Sequence, residues 1–145
     1  MYTAEQLARR DASPLTRAMM MIGGVQIIIL LISFYYELRF LLTGQGWTGA
    51  LSTFWLNFVL LWVNTIIGII WEKQFYNQYF MCREFFWEDA GNLAALLAYI
   101  FYFAGLWLNW NQNGLAVSML IANSVYCINV AQWVFKRMLF KPRQG

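Results

Sequence analysis

Four side chains that could take part in acid–base chemistry share one stripe of a predicted helix. Glu88, Asn92, Tyr99 and Tyr102 are spaced i, i+4, i+11 and i+14. This spacing places them within about 40° of one another on a helix of 3.6 residues per turn. An acidic residue beside aromatic side chains is partly desolvated, which favours the protonated form that a general acid needs. Glu88 is therefore a candidate proton donor.

Two further carboxylates lie near the predicted membrane surface at which this helix begins, which we call the rim. Glu72 follows a long apolar run, and Asp89 adjoins Glu88 but points about 100° away from it on a helix. The alternative interpretation is that rim carboxylates only form ion pairs with neighbouring bases. The bases available are Lys73, Arg83 and Arg137. For Glu72 and Glu88 the sequence leaves both interpretations open.

Composition limits the class of protein. The chain of 145 residues is 61% hydrophobic and 12% charged, whereas soluble domains carry roughly 25% charged residues. It has no histidine, which removes the commonest metal ligand and the commonest acid–base group at neutral pH. The sequence predicts no metal site, and it contains no phosphate-binding glycine loop or nucleophile elbow. Cys82 and Cys127 are expected to be free thiols.

Long uncharged runs predict four transmembrane helices, at about residues 18–37, 49–71, 90–110 and 115–135. Each is close to the roughly 20 residues that span a hydrocarbon core about 30 Å thick. The charged, aromatic-rich segment 72–89 is predicted to be a loop, and Asp11–Pro14 resembles a helix start. The expected fold is an all-α integral membrane protein, a four-helix bundle in one domain covering residues 1–145.

Basic residues are distributed unevenly between the two predicted ends of the bundle. Nine lie in the N-terminal segment, the 72–89 loop or the C-terminal tail, and only Arg39 lies in the other connections. Positive charge marks cytoplasmic segments, so both termini and the loop are expected to be cytoplasmic. The basic face suits anionic lipid and does not indicate a nucleic-acid partner.

Polar side chains inside the predicted spans have an ordinary explanation. Gln26, Ser33 and Glu37 share one helix face, which should look into the bundle. Interhelical hydrogen bonds are the favoured role for the other intramembrane amides, which are Asn57, Asn64, Asn123 and Asn129. The aromatic run 85–87 is more typical of an interfacial anchor than of a ligand platform.

Several short motifs together resemble a known family. They are Arg9–Pro14, Thr43–Gly46, Ile70–Lys73, Phe85–Asp89 and the Val130–Gln132 region with Tyr126 and Asn129. Trp-Glu-Lys followed by Phe-Phe-Trp-Glu-Asp is the most specific part of this pattern. In order and spacing, over nearly the whole chain, they are similar to the 3-vinyl (also called 2-vinyl) bacteriochlorophyllide hydratases of bacteriochlorophyll biosynthesis.

The resemblance implies an activity and a location. The family adds water across the ring A vinyl group of a chlorophyllide-type magnesium tetrapyrrole and forms a 1-hydroxyethyl group, without a redox cofactor. The pigment is then the substrate or a bound pigment, and the other partners are the lipid bilayer and other pigment-biosynthesis or photosynthetic subunits. The implied location is a bacterial inner or intracytoplasmic photosynthetic membrane.

The resemblance also suggests roles for individual residues. Glu88 would act as the acid, with Glu72 or Asp89 as its partner. The positioning groups would be Asn129 and Gln132. The remaining substrate contacts would come from Trp71, Phe86, Trp87 and Asn92.

One position departs from the family. Its third span carries a histidine two to three turns beyond the Trp-Glu-Asp, where this chain has Tyr99. Either Tyr99 takes over a catalytic role or the activity is lost. The loss would leave a non-catalytic pigment-associated subunit of a photosynthetic complex. A membrane scaffold without pigment is the third hypothesis.

Overall fold

The computed structural model describes residues 4–139, and these form five helices in chain order. The helices are α1 (Ala4–Ala12), α2 (Pro14–Thr43), α3 (Trp47–Tyr76), α4 (Phe86–Trp107) and α5 (Gln112–Leu139). All except α1 are long and apolar enough to cross a membrane. The predicted all-α membrane architecture with four spans is confirmed. The tail with Lys141 and Arg143, and the side chain of Arg137, lie outside what the structure describes.

Local sequence signals mark both ends of α2. Ser13 caps α2, since its side chain accepts a hydrogen bond from the Leu15 backbone amide at 3.2 Å, and Pro14 begins the helix. This agrees with the predicted helix start, because proline lacks the amide hydrogen that the first turn cannot use. Gly44 ends α2 in the left-handed conformation at φ 71°, which glycine adopts without steric cost.

Most helix ends lie beyond the predicted spans, whereas α4 ends at Trp107, before the predicted end at residue 110. The sequence predicted a loop over 72–89, but residues 72–76 belong to α3 and residues 86–89 to α4. The non-helical connection is therefore 77–85. The physical reason is that an uncharged run matches only the thickness of the hydrocarbon core. The helical backbone hydrogen bonds continue beyond this core into the membrane–water interface. Glu72, Glu88 and Asp89 consequently lie on rigid helix ends.

Helices α2 and α3 pack along each other, as do α4 and α5, and the contact between α2 and α5 joins the two pairs. The 77–85 connection lies at the same end of the bundle as α1, the start of α2 and the end of α5. We call this the loop end. The opposite end carries the short connections at 44–46 and 108–111, and we call it the turn end.

The bundle core toward the turn end is aromatic. Phe54 and Tyr99 are both fully buried, and Phe54 packs against Tyr99 and Tyr102 with ring centroids 4.8 and 4.4 Å apart. Close helix approach there depends on glycine, since a Cβ on Gly49 would overlap the ring of Tyr36. The turn end is therefore closed by side-chain packing.

Candidate active site

A large cavity occupies the loop-end half of the bundle. Its volume is about 700 Å³, and it is lined by residues of all five helices and of the 77–85 connection. Pockets that bind small molecules typically measure about 300–1,000 Å³. Along α3 the lining runs from Asn64 to Tyr76, a distance of about 18 Å at 1.5 Å per residue. The cavity is large enough for a sizeable, mainly apolar ligand.

Three glycines leave open space in the cavity wall. Gly23 and Gly24 on α2 and Gly68 on α3 line the cavity. At each of them a Cβ would meet no described atom within 4 Å. Glycine in a helix costs roughly 0.5–1 kcal/mol relative to alanine, so packing between helices does not account for these three. Their open faces suit a flat ligand lying against the helix backbone.

Two carboxyl groups meet at the cavity wall. Glu72 from the end of α3 and Asp89 from the first turn of α4 are 1% and 3% exposed, and their side chains lie within hydrogen-bonding reach of each other. Among the described residues, Glu72 Oε2 has no hydrogen-bond partner. An ionised carboxylate can only accept hydrogen bonds. A hydrogen bond between Glu72 and Asp89 therefore requires that one of the two carboxyl groups is protonated. We call Glu72 and Asp89 the carboxyl pair.

The 77–85 connection packs against the carboxyl pair. Asp89 accepts a hydrogen bond from the Met81 backbone amide at 2.8 Å, and the buried Cys82 thiol lies beside Glu72. Burial, followed by the charge of the Glu72 carboxylate, raises the pKa of the Cys82 thiol to about 12. Cys82 therefore stays a neutral thiol at neutral pH and can donate a hydrogen bond to the Glu72 carboxyl group.

Glu88 faces a different partner from the one the sequence suggested. Its carboxylate forms an ion pair with Lys136 Nζ at 2.7 Å, and Lys136 also donates to the Glu84 backbone carbonyl. Glu88 is buried but is not part of the described cavity wall, whereas Lys136 is. This ion pair ties α5 to the start of α4. The structure thus pairs Glu72 with Asp89, and Glu88 with a base.

The amides Asn129 and Gln132 sit where α4 and α5 touch. Asn129 Nδ2 donates to the Glu88 backbone carbonyl at 2.7 Å and to Gln132 Oε1 at 3.3 Å. A Cβ on Gly91 would overlap both side chains, so glycine permits this approach. Asn129 lines the cavity, but Gln132 is not among the described lining residues. Gln132 is thereby placed to orient Asn129.

Two further predicted substrate contacts line the cavity. Trp71 is buried and donates its indole N–H to Thr16 Oγ1 at 2.8 Å, which fixes the ring between α2 and α3. Asn92 donates to Thr65 Oγ1 at 2.9 Å, and both side chains are on the wall. These bonds hold the groups in place without filling the space in front of them.

Phe86 and Trp87 point away from the cavity. They are 43% and 72% exposed, and neither is among its described lining residues. The aromatic residue of this run that faces inward is Phe85, which lines the cavity and stacks on Trp133 at 5.1 Å between ring centroids. Helix geometry explains the difference, because residues 86 and 87 occupy the outer face of the first α4 turn. Their exposure matches the interfacial-anchor interpretation.

Tyr99 lies away from the cavity, in a second polar cluster toward the turn end. Its hydroxyl donates to Asn123 Oδ1 at 2.6 Å, and Asn123 Nδ2 donates to Glu37 Oε1 at 2.6 Å and to Ser33 Oγ at 3.0 Å. Thr53 donates to Ser33 at 3.0 Å. We call these five residues the Asn123 cluster. It supplies the expected interhelical hydrogen bonds. Tyr99 is fully buried, so a ligand has no open space beside it.

Sequence reasoning did not identify several cavity residues. Arg10 on α1 and Lys136 on α5 bring positive charge to the wall, and Thr65 and the glycines complete it. Gly23, Gly24 and Gly68 carried a signal, since glycine is unfavourable in a helix interior. Arg10 belongs to the family-like motif Arg9–Pro14, but nothing local to α1 reveals that it lies over the end of α3.

Comparison with known proteins gives a consistent result. A family model described as 2-vinyl bacteriochlorophyllide hydratase (BCHF) matches residues 2–139. The 2-vinyl bacteriochlorophyllide hydratase of Rhodobacter capsulatus is 32% identical over 136 residues, covering 94% of this chain and 80% of the relative. The hydratase of the same name from Cereibacter sphaeroides is 32% identical over 137 residues, covering 94% and 85%. No solved structure matches the chain. With the family match over nearly its whole length, this chain belongs to the 2-vinyl bacteriochlorophyllide hydratase family.

Proposed function

We propose that this protein, a hydratase by its family, adds water across the ring A vinyl group of a chlorophyllide-type magnesium tetrapyrrole, with the carboxyl pair as the acid–base group. The single observation that carries the assignment is the meeting of Glu72 and Asp89, both buried, on the wall of a cavity of about 700 Å³. Two neighbouring carboxyl groups in a dry site retain a proton between them. Such a pair can give one proton and accept another.

The first step is protonation of the alkene. The protonated member of the pair transfers its proton to the terminal carbon of the vinyl group, which becomes a methyl group. The π electrons form the new C–H bond, and the inner carbon becomes a cation conjugated with the macrocycle. The carboxylate left on the protein lies next to this cation and stabilises it through charge, most strongly where water is excluded.

The second step is addition of water to the inner carbon. The water oxygen forms the C–O bond, and its proton passes to the carboxylate of the pair. The pair therefore ends the cycle with one proton, as it began, and no redox change occurs. Asn92, which donates to Thr65, and Asn129, which donates to Gln132, line the same cavity as the pair, and we assign them the orientation of the water.

Glu88 has a positioning role in this proposal. Its ion pair with Lys136 and the bond from Asn129 to its carbonyl hold the first turn of α4 against α5. This turn also carries Asp89, so Glu88 sets where one half of the carboxyl pair lies. The packing of Tyr99 against Phe54 and its bond to Asn123 support a structural role for that position.

We also propose that the loop end faces the cytoplasm of a bacterial inner or intracytoplasmic membrane. The support is the excess of basic residues in the segments at this end. Helix α1, which lies at the same end, contributes Leu7, Arg10 and Asp11 to the cavity wall. A pigment made in the cytoplasmic leaflet would then reach the cavity without crossing the bilayer.

The test is an absorption assay with membranes that contain this protein alone, supplied with a 3-vinyl chlorophyllide or bacteriochlorophyllide. We expect a blue shift as the vinyl group leaves the conjugated system, and a product heavier by one water. Asp89→Asn removes one member of the pair and should lower kcat by about 10²–10⁴-fold, the usual contribution of general acid–base catalysis.

Glu88→Gln is the matched control, one residue away. We expect it to keep measurable turnover, because the amide can still bond to Lys136 while the carboxyl pair is intact. Equal loss in Asp89→Asn and Glu88→Gln would overturn the assignment of acid–base chemistry to the pair. A wild-type protein that holds pigment without hydrating it would favour a non-catalytic pigment subunit.

A further inference from the structure

We propose that Arg10 binds the free propionate carboxylate of the pigment, so that the cavity selects pigment acids over their esters. This inference rests on the proposed function, since it concerns the same substrate and the same cavity. It assigns to the N-terminal helix α1 a role in recognition. A chlorophyllide carries this acid on ring D, next to ring A, whereas the finished chlorophyll carries a neutral ester there.

The first observation is the position of Arg10. Its side chain lines the cavity and is only 16% exposed. One of its guanidinium nitrogens, Nη1, donates to the Tyr76 hydroxyl at 3.0 Å, which places Arg10 over the last turn of α3. Tyr76 lies four residues after Glu72, or about 6 Å along the helix. One macrocycle could therefore reach both Arg10 and the carboxyl pair.

The second observation concerns charge. The carboxylate beside Arg10 is Asp11, at 2.8 Å, and the Asp11 side chain is 50% exposed. An ion pair with such an exposed partner is screened by water and contributes little. Lys136, the other basic residue on the described wall, pairs with the buried Glu88 carboxylate instead. Of the two basic residues on the described wall, Arg10 is therefore the one whose carboxylate partner is half exposed to solvent. The Arg10 side chain itself is mostly buried.

The third observation is chemical. A guanidinium presents several N–H donors in a planar fork that matches the two oxygens of a carboxylate. Nε and Nη2 lie 2.9 and 2.8 Å from Asp11 Oδ1, and Nη1 donates to Tyr76. These contacts orient the guanidinium and leave one N–H on each of Nη1 and Nη2 for a further carboxylate. An ester in the same position offers no negative charge and has bulk where the second carboxylate oxygen would lie. The arrangement therefore discriminates by charge and by shape.

The experiment measures binding by absorption titration, using one 3-vinyl pigment as the free acid and as its methyl ester. We expect wild-type protein to bind the acid about tenfold or more tightly than the ester, an amount typical of one charge-assisted contact. Arg10→Gln should weaken binding of the acid to the level of the ester and leave the ester unchanged. Arg10→Lys should keep part of the preference.

Arg9→Gln is the matched control, because Arg9 is an exposed neighbour on the same helix and is absent from the described cavity wall. It should keep the wild-type preference. Equal weakening of acid and ester in Arg10→Gln, or no change in either, would overturn the inference. Because the readout is binding, a protein that prefers the acid but does not hydrate it would contradict only the proposed function. Hydration without acid–ester discrimination would contradict only the inference, and failure to bind either pigment would contradict both.

Discussion

The two halves of the bundle each bury a carboxylic acid, but they surround it differently. Toward the turn end, Glu37 is fully buried and bonded to Ser33 and Asn123 within packed aromatic side chains. At the loop end, Glu72 is 1% exposed and faces a second carboxyl group and a large cavity. Both have an Oε2 atom without a hydrogen-bond partner among the described residues. Burial alone therefore does not distinguish a structural acid from a chemical one.

The difference lies in access and in the neighbouring groups. Amides and hydroxyls surround Glu37 and fix its orientation, but a ligand has no room to approach it. Beside Glu72 are Asp89, which can exchange a proton, and glycines that leave space for a ring. The two regions are separated by about 28 Å along α3, measured from Thr53 to Glu72. In our proposal, one half of the molecule stabilises the bundle, and the other half binds and hydrates the pigment.

The largest expected contrast is between two isosteric substitutions. Glu72→Gln should lower the rate of hydration by about 10²–10⁴-fold, because an amide cannot donate the acidic proton. Glu37→Gln should keep the rate within a few-fold of wild type, because the amide still bonds to Ser33 and Asn123. Initial rates at saturating pigment measure both variants. A Glu37→Gln protein that folds but is as inactive as Glu72→Gln would remove the functional distinction between the regions.

Two glycine substitutions, one in each half of the bundle, should differ in their effect on pigment binding. Gly68→Leu fills open cavity space and should weaken pigment binding by about tenfold or more, in line with about 1–3 kcal/mol for overpacking a filled site. Without pigment its thermal stability should stay near wild type. Gly49→Leu should lower the thermal stability and leave pigment binding near wild type, because the leucine side chain would overlap Tyr36. Titration and thermal unfolding in detergent test the two expectations, and unchanged binding in Gly68→Leu would mean that the pigment lies elsewhere.

Removal of the amide at the centre of the Asn123 cluster should affect stability more than activity. Asn123→Ala deletes the bonds to Tyr99, Glu37 and Ser33, and we expect a loss of about 1–2 kcal/mol, typical of interhelical polar contacts in membranes. The KM for pigment should stay close to wild type. The free energy of unfolding can be measured by denaturant titration in detergent. Asn92→Ala, on the cavity wall, should instead lower kcat, because Asn92 is assigned to orient the water. An Asn123→Ala protein that loses kcat while Asn92→Ala loses only stability would argue against the functional difference between the two ends of the bundle.

The smallest effect concerns the thiol beside the carboxyl pair. Because the Cys82 pKa is raised to about 12, the reactive thiolate is scarce at neutral pH and its fraction keeps rising tenfold per pH unit through pH 9 and 10. In a Cys127→Ser background, alkylation of Cys82 should follow this rise. Glu72→Gln should speed alkylation a few-fold at a given pH, since a neighbouring negative charge is lost. A rate that levels off near pH 9 would mean that Glu72 and burial do not act on this thiol.

Sequence reasoning predicted the class of fold because hydrophobic length is a local property. Runs such as Gly49–Trp71 are uncharged over the thickness of a bilayer, and a bilayer leaves helix as the way to satisfy their backbone groups. Ser13 and Pro14 likewise marked the start of α2 through chemistry confined to one turn. The buried stripe of Gln26, Ser33 and Glu37 followed from the helical period.

The pairing of acids was not predictable from the sequence. Glu88 and Asp89 are adjacent, and the sequence favoured Glu88 because it shares a stripe with Tyr99 and Tyr102. The rotation of α4 against α5 decides which of the two meets Lys136 and which meets Glu72. That rotation depends on the contact of Gly91 with Asn129 and Gln132, which joins positions about forty residues apart.

By itself the sequence determined that the chain crosses a membrane four times, that its family is that of the bacteriochlorophyllide hydratases, and that its acids gather near one end. Composition, periodicity and motif order carry this information along the chain. Only the tertiary structure decided that Glu72 faces Asp89, that Tyr99 belongs to a packed cluster, and that Arg10 lies over the cavity. These facts depend on distances between helices, because the interaction of two side chains is set by their separation in space and not by their separation in sequence.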